Sequence, residues 1–177
     1  MRKIFLTTFL FLISVFIIVT IYFSTIGIKT SKFNQLIKDK LIKIDSRLNA
    51  ELGEVTLLLD LARREIKVET DNANLYLDNN LIKLSKININ VDVFSFLKKR
   101  NKVKNIEIIT KENNIKNILN FLKSYRNNLP LILLENRIKQ GSIKAKLKAN
   151  FDKKNGNYPR YAVNGEIINV KLNLLNN

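Results

Sequence analysis

Hydrophobic and polar positions fall into three regimes along this chain. From Ile4 to Ile28 no charged side chain occurs, and Arg2 and Lys3 stand just before the run. At 1.5 Å per residue a helix of that length extends about 37 Å, enough to cross a hydrocarbon core of roughly 30 Å with some tilt. The run is longer than the roughly 7 to 15 apolar residues of a cleaved secretory signal, and no A-x-A site follows, Thr25 and Gly27 being a poor small-residue pair. Residues 1–28 are therefore expected to form a transmembrane signal anchor.

In the second regime the apolar period is near 3.6. Thr30 or Ser31 is placed to cap a helix in which Phe33, Leu36, Ile37, Leu41, Ile44 and Leu48 recur at spacings of three, four and seven. The opposite face carries Lys32, Lys38, Lys40, Lys43 and Arg47. This predicts a juxtamembrane amphipathic helix within residues 29–50, packing on its own domain or lying on the bilayer surface.

From Glu54 onward the period is two, which marks half-buried strands. Val55, Leu57, Leu59 and Leu61 alternate with polar neighbours, and Arg63 and Arg64 break the pattern. Ile66 and Val68 follow, then a turn at Asp71 and Asn72, Leu75 and Leu77, a turn at Asp78 to Asn80, and Ile87, Ile89, Val91 and Val93. These segments predict a meander of four antiparallel strands. Val93 to Leu97 reads as one helical turn started by Asp92 and ended by a basic loop, Lys98 to Asn101. Another strand follows through Val103, Ile106 and Ile108. Between Asn114 and Arg126 the helical period returns, with Ile115, Ile118, Leu119 and Leu122 on one face, and Pro130 forbids continuation. Leu131 to Leu134 is a short apolar run assigned to a strand. Ile143, Ala145, Leu147, Ala149 and Phe151 give the clearest alternation. Asp152 to Pro159 reads as a turn, and a last strand runs from Tyr161 to about Leu174 with a bulge expected at Gly165, where the apolar phase slips. Residues 51–177 are thus a β-rich domain.

Composition narrows the function. The chain has neither cysteine nor histidine. The first absence removes disulfides and thiolate chemistry, and the second removes the usual metal ligand and near-neutral base. The carboxylates are scattered among strands and turns, and Asp71, Asp78 and Asp92 read as turn formers and caps. No enzyme, catalytic residue, metal or cofactor is expected. A net charge of +16 invites a nucleic-acid reading, since basic residues that neutralise phosphates drive non-specific binding. Yet the 25 Asn and 23 Lys are spread over the whole sequence, lysines such as Lys144, Lys146 and Lys148 alternate within strands, and there is no phosphate loop or stacking motif. The expected basic partner is instead the anionic surface of a membrane.

The strands offer more apolar side chains on one face than the two helices have apolar side chains to cover. Either the sheet closes on itself as a sandwich or barrel, or it leaves an apolar trough. The order of pieces resembles the N-terminal part of bacterial AsmA-like proteins, the inner-membrane-anchored family of the TamB and YhdP type. The matching parts are the span Ile4 to Ile28, the helix after it, the strand Glu54 to Leu61, the stretch Ile87 to Leu97 ending in Val-Asp-Val-Phe-Ser-Phe-Leu, the strand Val103 to Ile108, and Tyr161 to Ile167 with its single glycine.

That resemblance implies a mainly β (α+β) fold: a transmembrane helix, an amphipathic helix, and a curved antiparallel sheet forming an open trough with one short covering helix. It implies a single-pass protein of the bacterial inner membrane with its body in the periplasm. There it would be the base of a hydrophobic groove carrying phospholipid between inner and outer membrane, possible envelope-protein partners included. Because the family's members are usually many hundreds of residues long, this chain would be the start of a longer trough. Acyl chains would lie along Leu57, Leu59, Ile89, Val91 and Leu147, with head groups at the basic rim. The competing expectation is a single-span periplasmic scaffold whose closed β domain binds protein partners. It would shield Leu147 and Ile89 from small apolar probes.

Overall fold

The computed structural model describes residues 2–98, 103–126, 128–151 and 160–173. Helix α1 (Arg2–Thr25) has no acidic residue in its first turn and no basic one in its last. Its Lys3–Thr25 stretch has a mean hydropathy of 2.8 and no fully buried residue, so it is long and apolar enough to cross a membrane as an anchor or to serve as a signal sequence. The helix stops at Gly27, whose φ of 72° is the left-handed conformation that a residue with Cβ avoids. A Cβ there would lie 2.5 Å from the Leu57 carbonyl oxygen. Glycine therefore lets the helix end dock directly on the sheet.

After the edge strand β1 (Ile28–Thr30), α2 runs over Lys32–Ile44, with Ser31 in the capping position but making no side-chain cap bond. The helix is shorter than the sequence pattern suggests. Asp45 leaves the helical conformation and accepts hydrogen bonds from the Arg47 backbone N–H at 3.0 Å and from its guanidinium at 2.7 Å. Leu48, expected on the helical stripe, instead begins strand β2 (Leu48–Glu51). Asn34 ties α2 to the chain that follows by donating to the carbonyls of Leu52 and Gly53 at 3.3 and 3.1 Å.

The rest is mainly β. Strands β3 (Val55–Asp60), β4 (Glu65–Asp71) and β5 (Asn74–Leu77) form where period-two alternation places them, whereas β6 (Asn80–Asp92) begins at Asn80, expected in a turn, well before the alternation from Ile87. Their turns use Arg64, Asn72 and Asp78 at φ near 50°; Asn and Asp tolerate that region best among residues with a Cβ. A simple meander is not what results. The long β6 pairs through its first half with β5 and through its second half with β4, while β5 also pairs with β2. Helix α3 (Val93–Leu97) follows, started as expected by Asp92, whose Oδ1 accepts the Ser95 N–H at 2.8 Å. The basic loop expected after it lies mostly outside the described residues.

Strand β7 (Val103–Thr110), the short β8 (Asn113–Asn114), β9 (Ile138–Asn150) and β10 (Arg160–Leu172) complete an antiparallel sheet. Its main path is β1-β3-β4-β6-β7-β9-β10. The sheet is open: its main path ends at β1 and β10, and off that path β2 pairs with β5 alone and β8 with β9 alone.

Helix α4 (Ile115–Tyr125) is capped by Asn114, whose side chain accepts the Lys116 N–H, and it rests on β5, β6, β8 and β9. Ile115 and Leu119 are buried beneath it, and Ala50, Ala73, Leu77 and Leu84 are also in the core. The run Leu131 to Leu134, expected as a strand, instead lies in helix α5 (Leu129–Arg137). Pro130 sits in its first turn, where no N–H is needed, and the Asn128 side chain accepts the Leu131 N–H. An ion pair between Lys123 and Glu135 links α5 to α4.

The bulge in the last strand is also displaced from its expected position. Gly165 pairs regularly with Ala145, and the register slips between Ile168 and Lys171, around Asn169 at φ 50°. Asparagine, not glycine, takes the left-handed residue of this irregularity. The turn expected over 152–159 lies outside the described residues.

Candidate functional site

Directly opposed residues in antiparallel strands share a face, so the registers assign each side chain without ambiguity. One row crosses the sheet as Ile28, Leu57, Val68, Ile89, Ile106, Ala149 and Tyr161. Two residues along the strands, a second row runs Val55, Thr70, Ile87, Ile108, Leu147 and Val163. On the other side of the first row, Leu59, Ile66, Val91 and Val103 form a third. The five residues expected to line a groove, Leu57, Leu59, Ile89, Val91 and Leu147, therefore lie on one face in three adjacent rows.

Their exposure is graded. Val91 is 7% exposed, Leu57, Leu59 and Ile89 are half-buried, and Leu147 is 36% exposed. Toward the β10 edge the face opens to solvent, with Tyr161, Val163 and Ile167 each near 65%. Helix α4 lies toward one end of this sheet, at β5, β8 and the start of β6 and β9, as its contacts and the closeness of Ile115 to Gly141 show.

At the β3 edge the sheet meets the end of α1 with residues of both faces, Leu57, Leu59 and Ile66 from the apolar face and Leu58, opposite Lys67, from the other. Phe23 of α1, Ile28, Leu57, Leu58, Leu59 and Ile66 enclose an almost wholly apolar pocket of about 210 Å³. Phe23, half-buried, lies within the last turn of a helix that is otherwise almost wholly exposed. The apolar face of the sheet thereby adjoins the end of the helix that is long and apolar enough to cross a membrane. Sequence patterning found the strand residues of this junction but not Phe23 or Leu58, because only the fold at Gly27 brings the helix end onto β3.

The opposite face is polar. Its central row runs Lys67, Asn90, Asn105, Asn150 and Arg160, and beside it lie Glu69, Asn88, Glu107, Lys148 and Ala162. Ion pairs stud it: Glu69 with Lys67 of its own strand and with Lys86 across on β6 at 3.1 Å, and Glu107 of β7 with Lys146 of β9. The hydrogen bond from Lys146 holds the Glu107 carboxyl below the usual carboxylate range, against the opposing effect of burial. A cavity of about 500 Å³ is set into this polar face, between Arg63 and Lys67 on one side and Lys148 and Arg160 on the other. It is larger than the apolar pocket and was not anticipated from the sequence, where these lysines and asparagines read as a solvated sheet surface.

No family model, curated protein or solved structure matches the chain.

The fold and its chemistry must therefore carry the functional reading. Among the described residues no group of three or more acidic side chains converges as a metal ligand set would. The two features with geometric definition are the apolar face joined to the span and the polar cavity behind it.

Proposed function

We propose that this is a membrane-anchored protein of AsmA-like type whose sheet is the base of a hydrophobic groove for phospholipid passing between inner and outer membrane. The span holds it in the inner membrane with the body in the periplasm. The supporting observation is the apolar junction at Phe23, Leu57, Leu59 and Ile66, where the end of the anchor opens onto half-buried apolar rows. An acyl chain leaving the bilayer beside α1 would meet this pocket first and then find similar apolar contact from row to row. Sliding between equivalent positions costs little, because non-directional burial of hydrocarbon is the only attraction that changes. In this reading the three rows form the floor of the trough and α4 covers its far end. Lys29, exposed beside Glu54 at the junction, would stand at the level of phospholipid head groups.

A scaffold role would draw on a different feature, the β10 edge, where unpaired backbone and exposed Tyr161, Val163 and Ile167 could accept an extended partner strand. The closed β domain expected for such a scaffold is not the form adopted by this open sheet.

The discriminating experiment places a photoreactive side chain at Ile89 or Leu147 of the full chain in native membranes. The lipid reading expects phospholipid adducts from both positions. Clean protein at both, or adducts only to another polypeptide, would reject it.

A further inference from the structure

We propose that β10 pairs with β10 of a second copy of this chain, antiparallel and centred on Val163, so that two copies form one continuous sheet about a two-fold axis. All but one of the thirteen residues of β10 are exposed, and the sheet path ends there. The hydrogen bonds of β9 show which backbone groups are left over. Phe151 donates its N–H to the Lys104 carbonyl of β7 at 2.7 Å, and the Ala145 N–H donates to the Thr110 hydroxyl of the same strand at 2.8 Å. Backbone groups of successive residues point to opposite sides of a strand. The odd-numbered residues from Ala145 to Phe151 therefore face β7, and the even-numbered ones between them face β10. Their partners Arg160, Ala162 and Asn164 bond back to β9, which leaves the N–H and C=O groups of Tyr161, Val163 and Gly165 directed outward.

A bare edge would suit any strand, and the side chains narrow the occupant to a second copy. Between Arg160 and Ile168, where pairing with β9 is regular, the only charged residues are Arg160 and Glu166. They have opposite sign, stand equally far from Val163 and form no ion pair with any described residue. A two-fold through Val163 sets Arg160 of each copy directly opposite Glu166 of the other. Because both residues turn their backbone groups toward β9, they meet as non-hydrogen-bonded pairs, whose side chains approach most closely. Moving the axis by one residue sets Arg160 against Asn164 or Ile168 and breaks both ion pairs. The Val163 register also lays Tyr161 over Gly165 of the second copy, an aromatic ring covering an edge glycine, and gives every outward N–H a carbonyl of the other copy.

Directly opposed residues share a face, so the apolar rows of one copy run on into the other. Over the five steps from β10 to β3, a twist of about 20 to 25° per strand turns the strands by roughly a quarter circle. The strands at the anchored end then run close to the two-fold, in the same sense in both copies, as two spans in one bilayer require. The pairing rests on the β10 edge and not on the lipid reading.

The chain has no cysteine, so Val163→Cys and Ile167→Cys each introduce a single thiol. In this register position 163 meets its own copy at about 5.5 Å between Cα atoms, within disulfide reach, while the two copies of position 167 lie about 27 Å apart. Mild oxidation of the full chain in native membranes should give a disulfide dimer from Val163→Cys and little from Ile167→Cys. In detergent, analytical ultracentrifugation should show a dimer that Arg160→Glu and Glu166→Arg each weaken by about tenfold and that the two together restore to within about threefold. Should a single reversal lower the thermal midpoint, recovery in the double variant still decides. A monomer at every attainable concentration, equal crosslinking at both positions, or a dimer indifferent to both reversals would overturn the proposal, the last because it describes contact through α1. A strand of another protein seated on the edge would block the Val163→Cys disulfide and overturn it as well.

Discussion

Two residues carry backbone conformations that the rest of the structure depends on. Gly27 sits at φ 72° with the Leu57 carbonyl 2.5 Å from where a Cβ would be. Gly27→Ala must either strain the backbone or push the anchor off β3. A residue forced into the left-handed region costs about 1 to 3 kcal/mol, so the thermal midpoint of the β domain should fall by several degrees while the span still inserts. Asn169 at φ 50° supplies the irregularity in β10. Asn169→Gly should be close to neutral, whereas Asn169→Val, β-branched at positive φ, should destabilise by about 1 to 3 kcal/mol in denaturant unfolding.

A third residue gives a pH signature. Glu107 is held below its ordinary pKa, first by the hydrogen bond from Lys146, so its stabilising contribution is complete above the unfolded-state value of about 4.3 and is lost as pH falls through the folded one. Glu107→Gln should therefore be less stable than wild type near neutrality, and the difference should vanish in acid. Because both partners are partly exposed, the neutral-pH difference should be small. A deficit that persisted at about pH 2 would point to packing instead of charge.

At the scale of elements, period-two alternation located the longer strands but not β1, β2 or β8, and the return of a 3.6 period located α4. Both patterns persist over enough residues to be unambiguous. What was not legible shares a physical cause: it depends on contacts between segments distant in sequence. The four-residue run Leu131 to Leu134 is too short to show a period, and its helical state follows from the Asn128 cap, Pro130 in the first turn and the ion pair from Lys123 on α4. Leu48 continues a helical stripe on paper but is drawn into β2 by pairing with Leu77. The split partnership of β6 between β4 and β5 has no local signature at all. For the candidate site, alternation identified the face on which Leu57, Leu59, Ile89, Val91 and Leu147 lie, while the pocket at Phe23 and the polar cavity required the registers. The packing of α4 yields a direct prediction. Leu119, 6% exposed beneath it, should cost about 3 kcal/mol when replaced by Ala, and the loss should appear as a lower denaturant midpoint with α1 unaffected.

For the whole molecule the contrast between the sheet edges is informative. β1 is three residues long and carries Lys29, whereas β10 runs thirteen residues with Tyr161, Val163 and Ile167 exposed. Long apolar edges are sites of strand addition and aggregation, and a lysine in their middle is a common block. Val163→Lys should slow self-association of the detergent-solubilised chain, followed by light scattering, without lowering its thermal midpoint. The central claim is that one face of this sheet, joined to the membrane at Phe23, takes hydrocarbon while the other does not. The most direct measurement is a photocrosslinking scan in native membranes at successive positions of β9, from Ile143 to Ala149. The account predicts phospholipid adducts at Ile143, Ala145, Leu147 and Ala149 and none at Lys144, Lys146 and Lys148. Adducts without that alternation, or confined to the lysine positions, would contradict it.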